Sequence, residues 1–173
     1  MVELLAHETA LVIDRADEVM HLVGMAETDP LTGLPNRRAW DARMARVTAD
    51  DERVTVAMLD IDHFKRFNDA HGHLAGDRLL RETAAAWRVL LRSNDLLARV
   101  GGEEFGLLLV NCSPSAAAEV TERLRVEVTG GQTASAGLAV RHAGQPLESV
   151  LGRADHALYD AKAYGRDHVR AAA

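Results

Sequence analysis

Arg99-Val100-Gly101-Gly102-Glu103-Glu104-Phe105 lies between two apolar runs, Leu96 to Val100 before it and Phe105 to Val110 after it. Apolar runs on either side of a glycine pair predict a β-hairpin with the glycines at its tip. There they are expected to supply the φ > 0 conformations of a short connection. Two adjacent carboxylates at such a tip repel each other unless a cation sits beside them, and a hard divalent ion with oxygen ligands would serve. The plain alternative is a solvated acidic turn, which costs little in water.

Working outward, the patterning predicts a strand from Val54 to Asp60, a helix from about Phe64, and a helix from Asp77 to Arg92 that leads into the hairpin. Beyond it come a helix from Pro114 to Val128, a strand from Thr133 to Arg141, a helix from Leu147 to Ala163 and a short strand around His168 to Arg170. This is an α/β (α+β) chain in the βαββαβ order of a ferredoxin-like domain. In such a sheet the first and third strands lie together in the middle, which brings Asp60 toward Glu103 and Glu104. Three carboxylates meeting at one spot outline a magnesium site. Asp62 is expected to N-cap the helix at Phe64. Lys65, at the start of that helix, either joins the free helical N–H groups in holding phosphate or is an ordinary solvated lysine.

Residues 1 to 27 predict one helix without proline. Val2, Thr9, Ala16 and Val23 form one seam position and Leu5, Val12, Val19 and Ala26 the other, a heptad pattern for a two-stranded coiled coil. The alternative is an amphipathic helix folded onto its own domain. Either would run roughly 40 Å at 1.5 Å per residue. The expected division is a helix over 1–28 and a globular domain over 29–173. Asp29-Pro30 stops the helix, and the turn-rich Asp29 to Arg38 leads into a short helix through about Val47, with Asn36 as N-cap.

At 173 residues and 47% hydrophobic content, the chain can bury one good core. No apolar run approaches the roughly 18 residues of a membrane span, and the N-terminus lacks a secretory signal's charge order, so a cytoplasmic location is expected. Cys112, the only cysteine, excludes an internal disulfide. A net charge of −6 argues against a nucleic-acid partner, which needs a basic face.

The segment Asp60-Ile61-Asp62-His63-Phe64-Lys65-Arg66-Phe67-Asn68-Asp69-Ala70-His71-Gly72-His73-Leu74-Ala75-Gly76-Asp77 adds a second constellation. Together with Gly101 to Phe105, Asp29-Pro30-Leu31-Thr32-Gly33-Leu34 and Ala161-Lys162-Ala163-Tyr164-Gly165-Arg166, it resembles the diguanylate cyclases, the GGDEF domain family, in order from Asp29 to about Arg170. The resemblance implies a nucleotidyl-cyclase-type domain that condenses two GTP into cyclic di-GMP and pyrophosphate as a homodimer. It implies Mg²⁺, with Mn²⁺ as a substitute, on the carboxylates of Asp60 and Glu103 and the carbonyl of Ile61, with Glu104 in support. Glu103 is then also the base for the ribose 3′-hydroxyl, Asn68 and Asp77 read guanine, and His73, Gly101 and Gly102 lie by the nucleotide. Lys65, Lys162 and Arg166 neutralise the triphosphate, Lys65 counting among the catalytic residues. Arg92 and Asp95, four positions in Arg92-Ser93-Asn94-Asp95, match the family's inhibitory product site, with Arg123 as a secondary arginine from a neighbouring subunit.

Val100, His63 and His71 replace aromatic residues frequent in the family, and none of these changes removes a ligand. Many relatives carry a sensor domain ahead of the helix, so an upstream sensor or a separate regulator is expected. The alternative function is a silent domain that binds GTP or cyclic di-GMP as a receptor. The plain alternative for His73 is local hydrogen bonding in a glycine-rich loop, and the metal that the His71-x-His73 spacing suggests is set aside.

Overall fold

The computed structural model describes residues 27–48 and 53–172. The heptad pattern of residues 1 to 26 therefore lies outside the described residues. The elements in chain order are α1 (Arg37–Ala45), β1 (Val54–Ile61), α2 (Phe64–His71), α3 (His73–Val89), β2 (Leu96–Arg99), β3 (Glu104–Val110), α4 (Pro114–Val126), β4 (Ala134–Val140), α5 (Leu147–Ala163) and β5 (Val169–Ala171).

The sheet order is β2-β3-β1-β4-β5. Every pairing is antiparallel except β4 with β5. The first four strands have the ferredoxin-like order expected from the sequence, and β5 extends that sheet at one edge. All eight residues of β1 are buried, which is why Val54 to Leu59 reads as continuous rather than alternating hydrophobicity. Its side chains feed two cores. Ala57, Leu59 and Ile61 meet Trp87, Phe105 and Leu124 on one face, where Trp87 and Phe105 stack edge to face at 5.0 Å. Val56 and Met58 meet Trp40, Ala154 and Leu158 on the other.

The second layer comes unusually close at two glycines. A Cβ on Gly137 would stand 2.1 Å from the Leu158 nitrogen and 2.2 Å from the Ala154 oxygen, so α5 rests with its backbone against β4. A Cβ on Gly106 would meet the Trp40 indole at 2.9 Å. Trp40 belongs to α1, whose N-cap is Asn36 as predicted, its Oδ1 accepting from the Ala39 N–H at 3.1 Å.

The long third helix differs from expectation at both ends. It starts at His73 rather than Asp77, because Gly72, at φ 84, both closes α2 and opens α3. Gly76, just ahead of the expected start, lies inside the helix and is buried. The helix stops at Val89 rather than Arg92. Its last turn tightens as Leu90 N–H and Leu91 N–H reach back to the Trp87 and Arg88 carbonyls.

Candidate active site

Asp60 stands near the end of β1, opposite Glu104 of β3 on one side and Ser135 of β4 on the other. One step on, the Ile61 N–H donates to the Glu103 carbonyl at 3.2 Å, so the acidic pair is fixed against the strand end. Asp60 is 5% exposed, and Lys162 of α5 brings its Nζ within 2.7 Å of Oδ2. Burial pushes the Asp60 carboxyl up to about 6. Lys162 opposes that rise, and Glu103 and Glu104 add to it.

Among the described residues no three of His, Cys, Asp or Glu are grouped closely enough to hold a metal in these side-chain positions. The Lys162 ammonium is on Asp60 instead. That observation fits a hard cation: a buried carboxylate already carries a positive stand-in, two more carboxylates act on it, and the donors are oxygens.

The glycine turn departs from the predicted geometry. Neither Gly101 nor Gly102 has positive φ. Gly101 is required for closeness, since a Cβ there would meet Glu104 Oε2 at 2.3 Å. Arg99 closes the turn, its Nε and Nη2 donating to the Gly102 carbonyl at 3.1 and 2.7 Å. Its Nη1 reaches both Asp29 carboxylate oxygens at 3.1 Å. Asp29 also accepts from the Thr32 N–H at 2.9 Å and hydroxyl at 2.6 Å. Burial works to raise the Asp29 carboxyl, and the Thr32 bonds with the Arg99 guanidinium overcome it, holding it below the usual value. The Asp29 to Leu34 motif thus braces the glycine turn, a link that no spacing in the sequence announces.

The predicted nucleotide residues surround this strand end on three helices. Lys65 is exposed in the first turn of α2, whose N-terminus has no side-chain cap. Asp62 is not that cap. Its carboxylate accepts from the Thr133 and Ser135 hydroxyls, both at 2.7 Å, because its N–H still pairs with the Thr133 carbonyl alongside β4 and left-handed His63 (φ 56) takes the cap position. The Asn68 side chain lies against Gly76, where a Cβ would sit 1.8 Å from its Oδ1. That buried oxygen has no hydrogen-bond partner. Asp77 follows Gly76 and is half-buried, and His73 is exposed at the start of α3. His71 stacks on Phe67 at 4.5 Å, with Nδ1 3.1 Å from the Phe67 carbonyl. Arg166 is exposed in the turn after α5.

Asp155 was not singled out by sequence. It lines a cavity of about 370 Å³ with Arg37, Glu104, Tyr159 and Lys162. Burial raises its carboxyl, Glu104 raises it further, and Arg37 opposes. Its place seven residues before Lys162, on the same face of one helix, was the available signal.

Arg92 and Asp95 lie in the turn beyond α3. The Asp95 carboxylate accepts from the Arg92 N–H at 3.0 Å, and the Asp95 N–H donates to the Arg92 carbonyl at 3.1 Å. Both line a cavity of about 450 Å³ with Gly33, Pro35 and Arg88, the last unforeseen although four residues from Arg92. Arg123, expected from a neighbouring subunit, donates to the Leu90 carbonyl of its own chain at 3.0 Å and so caps the end of α3.

The family model described as "Diguanylate cyclase, GGDEF domain" matches residues 26–168. Diguanylate cyclase DgcP of Pseudomonas aeruginosa is 45% identical over 161 residues, 85% of this chain and 24% of that protein. Diguanylate cyclase VdcA of Vibrio cholerae is 40% identical over 154 residues, 82% of this chain and 45% of that one. The chain thus spans less than half the length of these relatives. Among solved structures, the coiled coil and GGDEF domain of DgcB from Caulobacter crescentus, in complex with c-di-GMP, superposes with a TM-score of 0.90 at 37% identity over 97% of each chain. With the acidic turn against the head of β1, the braced Asp29 motif and a family match over most of its length, the chain belongs to the GGDEF domain family of diguanylate cyclases.

Proposed function

We propose that this chain condenses two GTP into cyclic di-GMP and pyrophosphate, as a homodimer in which each domain holds one nucleotide. The supporting observation is the head of β1. Asp60 is buried opposite Glu104, next to Glu103, with a lysine ammonium where a divalent cation would be wanted. Asp60, Glu103 and the Ile61 carbonyl, with Glu104 beside them, would hold Mg²⁺, or Mn²⁺ in its place. Such an ion supplies charge neutralisation at the α-phosphate.

The chain's own residues then divide the work. Glu103 accepts the proton of the ribose 3′-hydroxyl, whose oxygen attacks the α-phosphate of the facing nucleotide while pyrophosphate leaves. Asn68 and Asp77 select guanine, because a carboxylate accepts from the N1–H and the 2-amino group, neither of which adenine has. Lys65, Lys162 and Arg166 meet the triphosphate, with His73, Gly101 and Gly102 alongside. Lys162 must exchange Asp60 for phosphate as substrate arrives. The coiled coil proposed for residues 1 to 26 raises the effective concentration of one domain beside its twin. The Arg92–Asp95 cavity is the product's inhibitory site, where a guanidinium fork suits guanine edges and phosphate. Arg88 lines it as well, while Arg123 is held on the Leu90 carbonyl next to the lining residue Leu91.

Incubating purified protein with GTP and Mg²⁺ and identifying the product tests this reading. Cyclic di-GMP is expected. A protein that binds GTP or cyclic di-GMP and yields no product is a receptor, and the proposed activity falls.

A further inference from the structure

Just past the end of β1 stands a second aspartate that the metal and nucleotide assignments leave unused. Asp62 is 2% exposed. Its Oδ1 accepts from the Ser135 hydroxyl at 2.7 Å, and its Oδ2 from the Thr133 hydroxyl at 2.7 Å and from the Asp167 backbone N–H at 3.1 Å. Its own N–H donates to the Thr133 carbonyl at 2.8 Å. One side chain therefore joins the end of β1 to the head of β4 and to the turn after α5, 71, 73 and 105 residues further on. A buried carboxylate is costly as glue, since apolar packing would hold two strands together at least as well. What apolar packing cannot do is capture a particular backbone N–H.

The captured N–H belongs to a strained turn. Gly165, Arg166 and Asp167 have φ values of 116, 62 and 51. Successive left-handed residues other than glycine persist only where their surroundings impose them. Here the Arg166 N–H donates to the Ala161 carbonyl at 3.0 Å, His168 Nδ1 lies 2.6 Å from the Arg166 carbonyl, and Arg125 pairs with the Asp167 carboxylate. The Ala161 carbonyl belongs to a buried residue at the end of α5, and the bond to Asp62 is the second tie into the interior, the one that crosses to another element. Arg166 projects from this turn a few residues beyond Lys162, whose ammonium touches Asp60. The two aspartates of one strand end thus govern the two cations of one helix end, one by direct contact and the other through the backbone.

We infer that Asp62 is the positioning residue for Arg166, its buried carboxylate fixing the left-handed turn that presents this guanidinium to a triphosphate. The inference rests on the proposed reading of Arg166 as a phosphate contact. The chemistry explains the residue type. Two acceptor oxygens face three donors, and the backbone N–H cannot reorient, whereas the Ser135 and Thr133 hydroxyls can rotate to accept. An asparagine could keep its carbonyl oxygen on Asp167 and Thr133 and donate to a rotated Ser135 hydroxyl, but an alanine offers nothing.

The test measures equilibrium binding of GTP and GMP to the full chain in metal-free buffer, where no turnover intervenes. Asp62→Ala is expected to weaken GTP about tenfold, the scale of one charge-assisted contact, and to leave GMP within about twofold. Asp62→Asn is expected to restore most of the preference for GTP. Adding Arg166→Ala to Asp62→Ala is expected to cost little more, since the guanidinium is already misplaced. Asp62→Ser, too short to reach Asp167, should behave as the alanine variant does and carries the test if that variant does not fold. Equal losses of GTP and GMP, or an Arg166→Ala effect of the same size in both backgrounds, would overturn the positioning role and leave the nucleotide site as proposed. A parent protein that binds GTP no tighter than GMP would overturn both.

Discussion

At the scale of single residues, the site depends on charges that the fold forces together. Glu103→Gln removes one metal-facing charge and the proposed base at nearly constant volume. Synthesis of cyclic di-GMP is expected to fall at least about 100-fold with the thermal midpoint little changed; retention of most activity with Mg²⁺ would dismiss Glu103 from the chemistry. Asp60 has a different signature. Its folded carboxyl titrates at about 6, above the ordinary 3.8, so between those values the folded protein holds a proton that the unfolded chain has released. Stability without divalent metal should therefore decline as pH rises from about 4 to about 6 and then level off. Asp60→Asn should lack that decline, so its stability relative to the parent should grow across the same interval. Denaturant midpoints of both proteins through that range would check it. Asp60 and Glu103 were legible as candidates because acidic residues stand where apolar strands end. The Lys162 ammonium on Asp60 was not, since the two groups meet only after β1 and α5 have packed. Asp62 misled for a related reason: its place before Phe64 has the spacing of a helix cap, while its partners come from β4 and the last turn.

At the scale of elements, the sequence announced nearly every strand and helix, because β1 and β3 are mostly apolar and α5 keeps its pattern from Leu147 to Ala163. It was least informative where glycine serves closeness instead of turning. Gly76 stands just ahead of the expected helix start and lies within α3, pressed on Asn68, and Gly101 suggested φ > 0 and instead makes room for Glu104. Gly137 is the sharpest case, with α5 backbone atoms at 2.1 and 2.2 Å from where its Cβ would be. Gly137→Ala must lift α5 from the sheet, carrying Lys162 with it. A loss of about 3 kcal/mol in denaturant unfolding is expected, against a gain of up to about 1 kcal/mol for Gly152→Ala, which lies inside α5 and meets nothing. Comparable stability of the two variants would show that α5 shifts without cost.

At the scale of the whole molecule, the proposed chemistry needs two domains, and a single domain is half a site. Deleting residues 1 to 26 should make specific activity rise steeply with protein concentration, because the halves must then meet by diffusion. Activity per mole that is flat on dilution in both proteins would take the N-terminal segment out of assembly. Arg92→Ala is expected to keep the initial rate and lose the slowing that comes as product accumulates. Progress curves that bend identically in variant and parent, once GTP depletion is allowed for, would reduce Arg92 to a turn residue. The sheet also gives the domain two unlike handles. Incoming chain at Glu27 is tied by its carbonyl to the Asn36 N–H, Asn36 bridges to Arg99, and Arg99 grips the Gly102 carbonyl, so a twist applied there arrives beside the acidic pair. Outgoing chain follows β5 at the opposite edge, beyond β4, where it meets no part of that linkage. Tension entering ahead of Asn36 and tension leaving along β5 would therefore reach the same strand end by different routes, the first through Arg99 and the glycine turn, the second through Asp167 and Asp62.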